Sequence, residues 1–140
     1  MTVEAYKLSE TQDSITIRIE VLNTGDEDIQ IENFPDYARE EKATFIYFLS
    51  TEERNDMNGK VFFKVFPFIF TPKEFKGKEE NYKRISYLIK KRENGLVDYT
   101  LSKKKFNNDK KIIVYGEICY LFCINNNKKG RFSINTNIKY

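Results

Sequence analysis

The chain has 140 residues, 40% of them hydrophobic and 32% charged, and a net charge of +3. That length suits one domain over residues 1–140, which buries about 68% of its unfolded surface and needs no staple. No apolar run reaches the ~18 residues that a membrane span requires, and the absence of histidine removes Ser-His-Asp and Cys-His catalysis.

Met1 to Lys7 carries an acid and no apolar segment of the secretory kind, so a cytosolic protein is expected. The modest net charge hides a segregation along the chain. Residues 1–58 hold 14 acids and 5 bases, and residues 59–140 hold 7 acids and 19 bases. Asymmetry of this kind is the strongest functional hint in the sequence, unless the halves interleave in the fold and cancel locally.

Val3 to Leu8 reads as a weak first strand. Ile15, Ile17, Ile19 and Val21 then alternate with Ser14, Thr16, Arg18 and Glu20, which puts the two sets on opposite faces of a strand. Asn23 to Asp28 breaks the pattern with turn chemistry, and Ile29 and Ile31 resume it, so residues 14–31 are expected to form a β-hairpin. Residues 32–42 are a loop, in which Asp36 to Lys42 has room for one short helical turn. Ala43 to Leu49 is apolar on both faces and suits a central strand. Residues 50–60 are a loop with a turn cluster at Asn55 to Gly59.

Val61 to Phe70 carries five phenylalanines in ten residues. Pro67 cannot donate to a ladder, so this strand is at an edge, bulged or broken. The phenylalanines are either core or an exposed contact patch. Residues 71–81 are a charged loop. From 82 to 101 two readings compete. Tyr82, Ile85, Leu88 and Ile89 fit a helix, while Ile85, Tyr87 and Ile89 alternate ahead of Asn94-Gly95, the favoured type I′ turn pair. The hairpin, returning along Leu96 to Leu101, is the better fit. A basic loop over 102–111 leads into Ile112 to Ile124, apolar on both faces, with a bulge or bend expected at Gly116-Glu117. Arg131 to Ile138 alternates again. Cys119 and Cys123 lie about 13 Å apart on one strand, too far to bridge, and read as small core hydrophobes.

Eight or nine short strands with polar turns, and one short helix at most, predict an all-β single-domain antiparallel β-sandwich. The strand–turn stretch over 15–31 is similar to the opening of many immunoglobulin-like domains. If successive strands run end to end, loops 23–28, 50–60, 91–95 and 125–130 gather at one pole. Loops 9–13, 32–42, 71–83 and 102–111 gather at the other.

Neither a phosphate-cradling glycine loop nor a buried carboxylate pair can be read from the chain, so no enzyme and no cofactor are expected. Clustered acids at Asp26, Glu27, Asp28 and Asp56 lack the EF-hand spacing, so no metal is assigned. The expected function is a non-catalytic protein-binding domain of the inhibitor or immunity type. Its contact residues would be Asp26, Glu27, Asp28, Glu52, Glu53 and Asp56, which would meet a basic partner such as a toxin or enzyme. One alternative is a nucleic-acid-binding β-domain that uses Lys73, Lys76, Lys103, Lys104, Lys105, Phe106, Lys110 and Lys111, with Phe75 and Tyr82 stacking on bases. Against it stand 18 lysines to 6 arginines. Another is a structural subunit of a phage or secretion system that associates through edge strands or the phenylalanine-rich segment.

Overall fold

A computed structural model describes residues 1–33, 44–56, 85–106, 109–124 and 128–140. The short helical turn expected within 36–42 and the phenylalanine-rich stretch 61–70 lie outside the described residues. In chain order the elements are β1 (Thr2–Glu10), β2 (Ser14–Leu22), β3 (Ile29–Asn33), β4 (Phe45–Leu49), α1 (Thr51–Asp56), β5 (Ile85–Ile89), β6 (Asn94–Ser102), a 3-10 turn (Lys103–Phe106), β7 (Lys111–Phe122) and β8 (Lys129–Lys139). All strand pairs are antiparallel. One sheet has the order β1-β2-β6. The other runs β4-β7-β3-β5, with β8 on the opposite edge of β7.

Alternation in the sequence becomes the two inner faces. Ile15, Ile17, Ile19 and Val21 of β2 are fully buried, and they share one core with Ile29, Ile31, Ile46, Phe48, Ile112, Val114, Ile118, Ile134 and Ile138 of the other sheet. Burying a side chain of this size stabilises the fold by roughly 2 kcal/mol. The Phe48 and Tyr99 rings meet across the core with centroids 5.0 Å apart. The result is the expected all-β sandwich.

Two expected hairpins are instead arches between the sheets. β2 pairs with β1 and β6, whereas β3 pairs with β5 and β7, so residues 23–28 carry the chain from one sheet to the other. Residues 85–89 and 94–102 are strands, not a helix, but they too lie in different sheets. Asn94-Gly95 begins β6 rather than forming the turn, and Arg92, with φ of 64°, takes the left-handed position between the strands. Alternation specifies which face of a strand is buried. It does not specify whether the next strand lies beside it or across the core.

The two arches stack on Asn23, whose side chain is buried. Its amide nitrogen donates to Glu27 O (2.8 Å) and Ile89 O (3.1 Å), and its amide oxygen accepts from Gly25 N (3.1 Å). Its backbone N–H donates to Glu93 O (3.0 Å), and its carbonyl accepts from Arg92 N (2.9 Å). Asp28 adds a second link, accepting from Lys91 N at 2.8 Å.

β3 and β4 share one edge of β7. Residues 29–31 pair with 122–120, and residues 45–49 pair with 117–113, so both strands run in the same direction along that edge. Thr44 joins β4 to β7 by accepting from Cys119 N (2.9 Å) and donating to Cys119 O (3.3 Å). Because β3 and β4 run in the same direction, the loop after β4 falls at the pole opposite to the one expected. It is also not a plain loop. Ser50 caps α1 by accepting from Glu53 N at 3.1 Å. The ladders of β7 with β4 and β8 pass through Gly116 without a shift, so the expected bulge there is absent. The irregularity lies in β1, between Lys7 and Ser9.

Asn23→Ala should lower the unfolding free energy by about 3 kcal/mol, because it removes three side-chain hydrogen bonds and strands buried carbonyls. The exposed Asn94→Ala should change it by no more than about 0.5 kcal/mol, with both read from urea denaturation. Gly130 faces Tyr120 across the β7–β8 ladder, and a Cβ there would strike the Tyr120 ring. Gly130→Ala should cost about 1–3 kcal/mol in the native background and much less in Tyr120→Ala, as a double-mutant cycle would show.

Candidate functional site

The six acids singled out from the sequence do not form one surface. Asp26, Glu27 and Asp28 lie in the first arch, at the pole that also holds residues 90–93 and 123–124. Glu52 and Glu53 lie in α1, and Asp56 ends it, at the other pole beside the 3-10 turn. The collinear run of β3 and β4 separates them. Nor are all the acids available. Asp28 caps the second arch through Lys91 N and accepts from Cys123 N through its carbonyl at 3.0 Å. Glu53 meets Lys105 at 3.5 Å. Asp26 is 94% exposed and pairs with Arg92 at 2.8 Å.

The lysines fare differently. Lys103, Lys104, Lys105, Lys110 and Lys111 do gather at one pole, and Lys73 and Lys76, with Phe75 and Tyr82, lie outside the described residues. Phe106 is a correction. It is 2% exposed and belongs to the core, so it cannot stack on a base. Lys103 pairs with Glu10 at 2.7 Å and sits 5.6 Å from the centre of the Tyr140 ring. Lys105 also reaches Phe48 O at 3.4 Å. Glu52 lines a shallow depression of about 370 Å³ with Lys105 and Asp109.

Most ion pairs among the described residues join the acidic half of the sequence to the basic half. Glu10–Lys103, Arg18–Asp98, Asp26–Arg92 and Glu53–Lys105 do so, while Lys7–Glu10 and Glu117–Arg131 stay within one half. β2 lies beside β6, and β3 and β4 lie beside β7, so the halves interleave and these four pairs cancel charge locally.

No family model, curated protein or solved structure matches the chain. What the site can do is therefore read from its own chemistry. Among the described residues no three His, Cys, Asp or Glu side chains gather as metal ligands, and no helix is long and apolar enough to cross a membrane. Cys119 is buried and Cys123 half-buried, and neither is in a disulfide. Burial, then the Asp28 and Glu27 carboxylates, push the Cys123 thiol up, which keeps it protonated and unreactive near neutral pH.

The feature that sequence reading missed is apolar. Of six exposed large hydrophobics among the described residues, Leu22, Leu88, Leu96 and Ile124 lie at the pole of the arches. Leu22 and Leu96 stand on the outer face of the β1-β2-β6 sheet, one step apart on paired strands. Leu88 stands on the outer face of the other sheet, and Ile124, 81% exposed, follows β7 at the tip. Leu22 sits out of phase with the buried set of β2, and Leu88 and Leu96 out of phase with their own strands. That mismatch was the available signal.

Hydrogen bonds from Lys103 and then Lys7 hold the Glu10 carboxyl down to about 2. A depressed carboxylate stabilises the fold above its unfolded value, and the benefit is lost as pH falls from about 4.5 towards 2. In an NMR pH titration the Glu10 side-chain resonance should stay in its ionised position through pH 4, and Lys103→Gln should move its midpoint upward.

Proposed function

We propose that the protein is a cytosolic, non-catalytic protein-binding domain of the inhibitor or immunity type that caps its partner with the arch pole. The observation that carries this reading is the coincidence, at that pole, of exposed apolar side chains with acids on a fixed loop. Leu22 and Leu96 on one sheet, Leu88 on the other and Ile124 at the tip share that end of the sandwich with Asp26 and Glu27. Single exposed leucines on a domain need no explanation, but four at one end, beside charge, have the composition of a contact surface. Asn23 and Asp28 hold the loop from below, so little conformational entropy is lost when a partner meets it. Asp26, paired with Arg92, and half-buried Glu27 would meet basic groups of the partner at the rim of the contact rather than steer it from afar. Glu52, Glu53 and Asp56 take no part in this surface.

Support from the scaffold is of the general kind. Binding loops are commonly carried on rigid sandwiches, where the sheets fix the ends and the loop supplies the chemistry. The test is co-purification of the tagged chain with the products of neighbouring genes at low and high salt. A specific partner should be retained by the native chain, released by Leu22→Ser combined with Ile124→Ser, and weakened at low salt by Asp26→Asn combined with Glu27→Gln. Retention of that partner by all these variants would rule the arch pole out.

A further inference from the structure

The pole opposite the arches carries four lysines that have no ion pair among the described residues. Lys111 and Lys139 are direct partners in the β7–β8 ladder, on the outer face of the sheet. Residues so placed have Cα atoms about 5 Å apart, and two like charges there repel. The backbone brings a third lysine to the pair, because Tyr140 N donates to Lys110 O at 2.9 Å, and Lys110 itself has φ of 49°. A fourth comes through Tyr140, whose hydroxyl donates to Lys103 O at 3.3 Å and so ties the 3-10 turn with exposed Lys104 to the end of β8. Lys103 and Lys105 are neutralised by Glu10 and Glu53. Among the described residues Lys104, Lys110, Lys111 and Lys139 have no ion pair; of the carboxylates at this pole Glu10 and Glu53 are already paired, Asp13 lies in the β1–β2 turn, Glu52 and Asp56 stand on α1, and Asp109 precedes Lys110.

We propose that Lys104, Lys110, Lys111 and Lys139 form a binding site for the phosphate backbone of a nucleic acid, separate from the protein-binding pole. A phosphodiester placed between Lys111 and Lys139 turns their repulsion into two attractions, and the chain of phosphates continues past Lys110. Lysine holds phosphate as a point charge, without the bidentate base readout for which arginine is preferred, so the shortage of arginine weighs against base recognition and not against backbone binding. The site stands apart from the arches, so either surface can fail without the other.

Fluorescence anisotropy with labelled single-stranded DNA, single-stranded RNA and duplex DNA, repeated over a range of salt, tests it. Four neutralised phosphates on a single strand predict that log affinity falls with log salt at a slope near 3, and Lys110→Gln/Lys111→Gln/Lys139→Gln should reduce that slope by about 2 and the low-salt affinity by at least tenfold. The charge-matched control Lys90→Gln/Lys91→Gln/Lys128→Gln, at the arch pole, should change little. Lys139→Gln alone should leave the melting temperature equal or higher, since it removes a repulsion, and this separates lost binding from lost fold. No salt-sensitive binding at micromolar protein, an equal loss in the control, or a lower melting temperature for Lys139→Gln would each overturn the proposal.

Discussion

Asn23 sits where the chain leaves one sheet for the other, and a two-sheet core depends on such a crossing being hydrogen-bonded. A chain that passes over the end of a sandwich brings N–H and C=O groups to the edge of an apolar interior, where an unpaired one costs about 1–3 kcal/mol. Here two crossings lie side by side. One amide side chain and one backbone unit satisfy the first arch from within and join it to the second through Ile89, Arg92 and Glu93. Pairing of β2 with β6 and of β3 with β5 then follows from one geometry. If the arches are held together, the strands that leave them on each side are neighbours.

The second constraint is the length of β7. Its twelve residues exceed the five of β3 and of β4, and one long strand serves as a common rail for two short ones. Their shared direction moves α1 to the lysine pole, where Glu53 meets Lys105 and Arg54 lies over the Tyr115 ring at 4.6 Å. The acidic half of the chain is thereby threaded through the basic half. Threading the halves together cancels part of the segregation along the sequence through cross-half ion pairs, and what is left in space is local, at the lysine pole.

What could be read in advance divides along the same line. Period-two isoleucines named the buried faces of β2, β3 and β8 and the all-β class, because burial acts on each strand separately. Strand neighbours were not legible, since Asn23 to Asp28 has the composition of a hairpin turn and its arch geometry depends on contacts with residues 89–93, more than sixty positions away. Asn94-Gly95 misled for the same reason. Its local turn preference is overruled by the pairing of Leu22 with Asn94 and of Val21 with Gly95. Helix α1 was within reach, as Ser50 followed three residues later by Glu53 is a capping signature. The lysine pole was read in part from Lys103 to Lys111, but Lys139 joins it only through register.

The outer face of the β1-β2-β6 sheet shows why contact chemistry concentrates at the ends. Arg18 holds Asp98 through two nitrogens at 2.8 and 2.9 Å, Tyr6 and Asn94 both donate to Glu20, and Thr16 pairs with Thr100 at 3.0 Å. These side chains are already engaged across the ladder, and a partner that took one of them would have to break a bond to gain one. Such a face gives solubility and register rather than recognition. At the arch pole, by contrast, the leucines and Ile124 contact water, and at the lysine pole four ammonium groups have no ion pair among the described residues. Groups whose interactions the fold leaves incomplete are those whose pairing with a partner would lower the free energy, which is why the proposed contacts lie at the two ends and not on this sheet face.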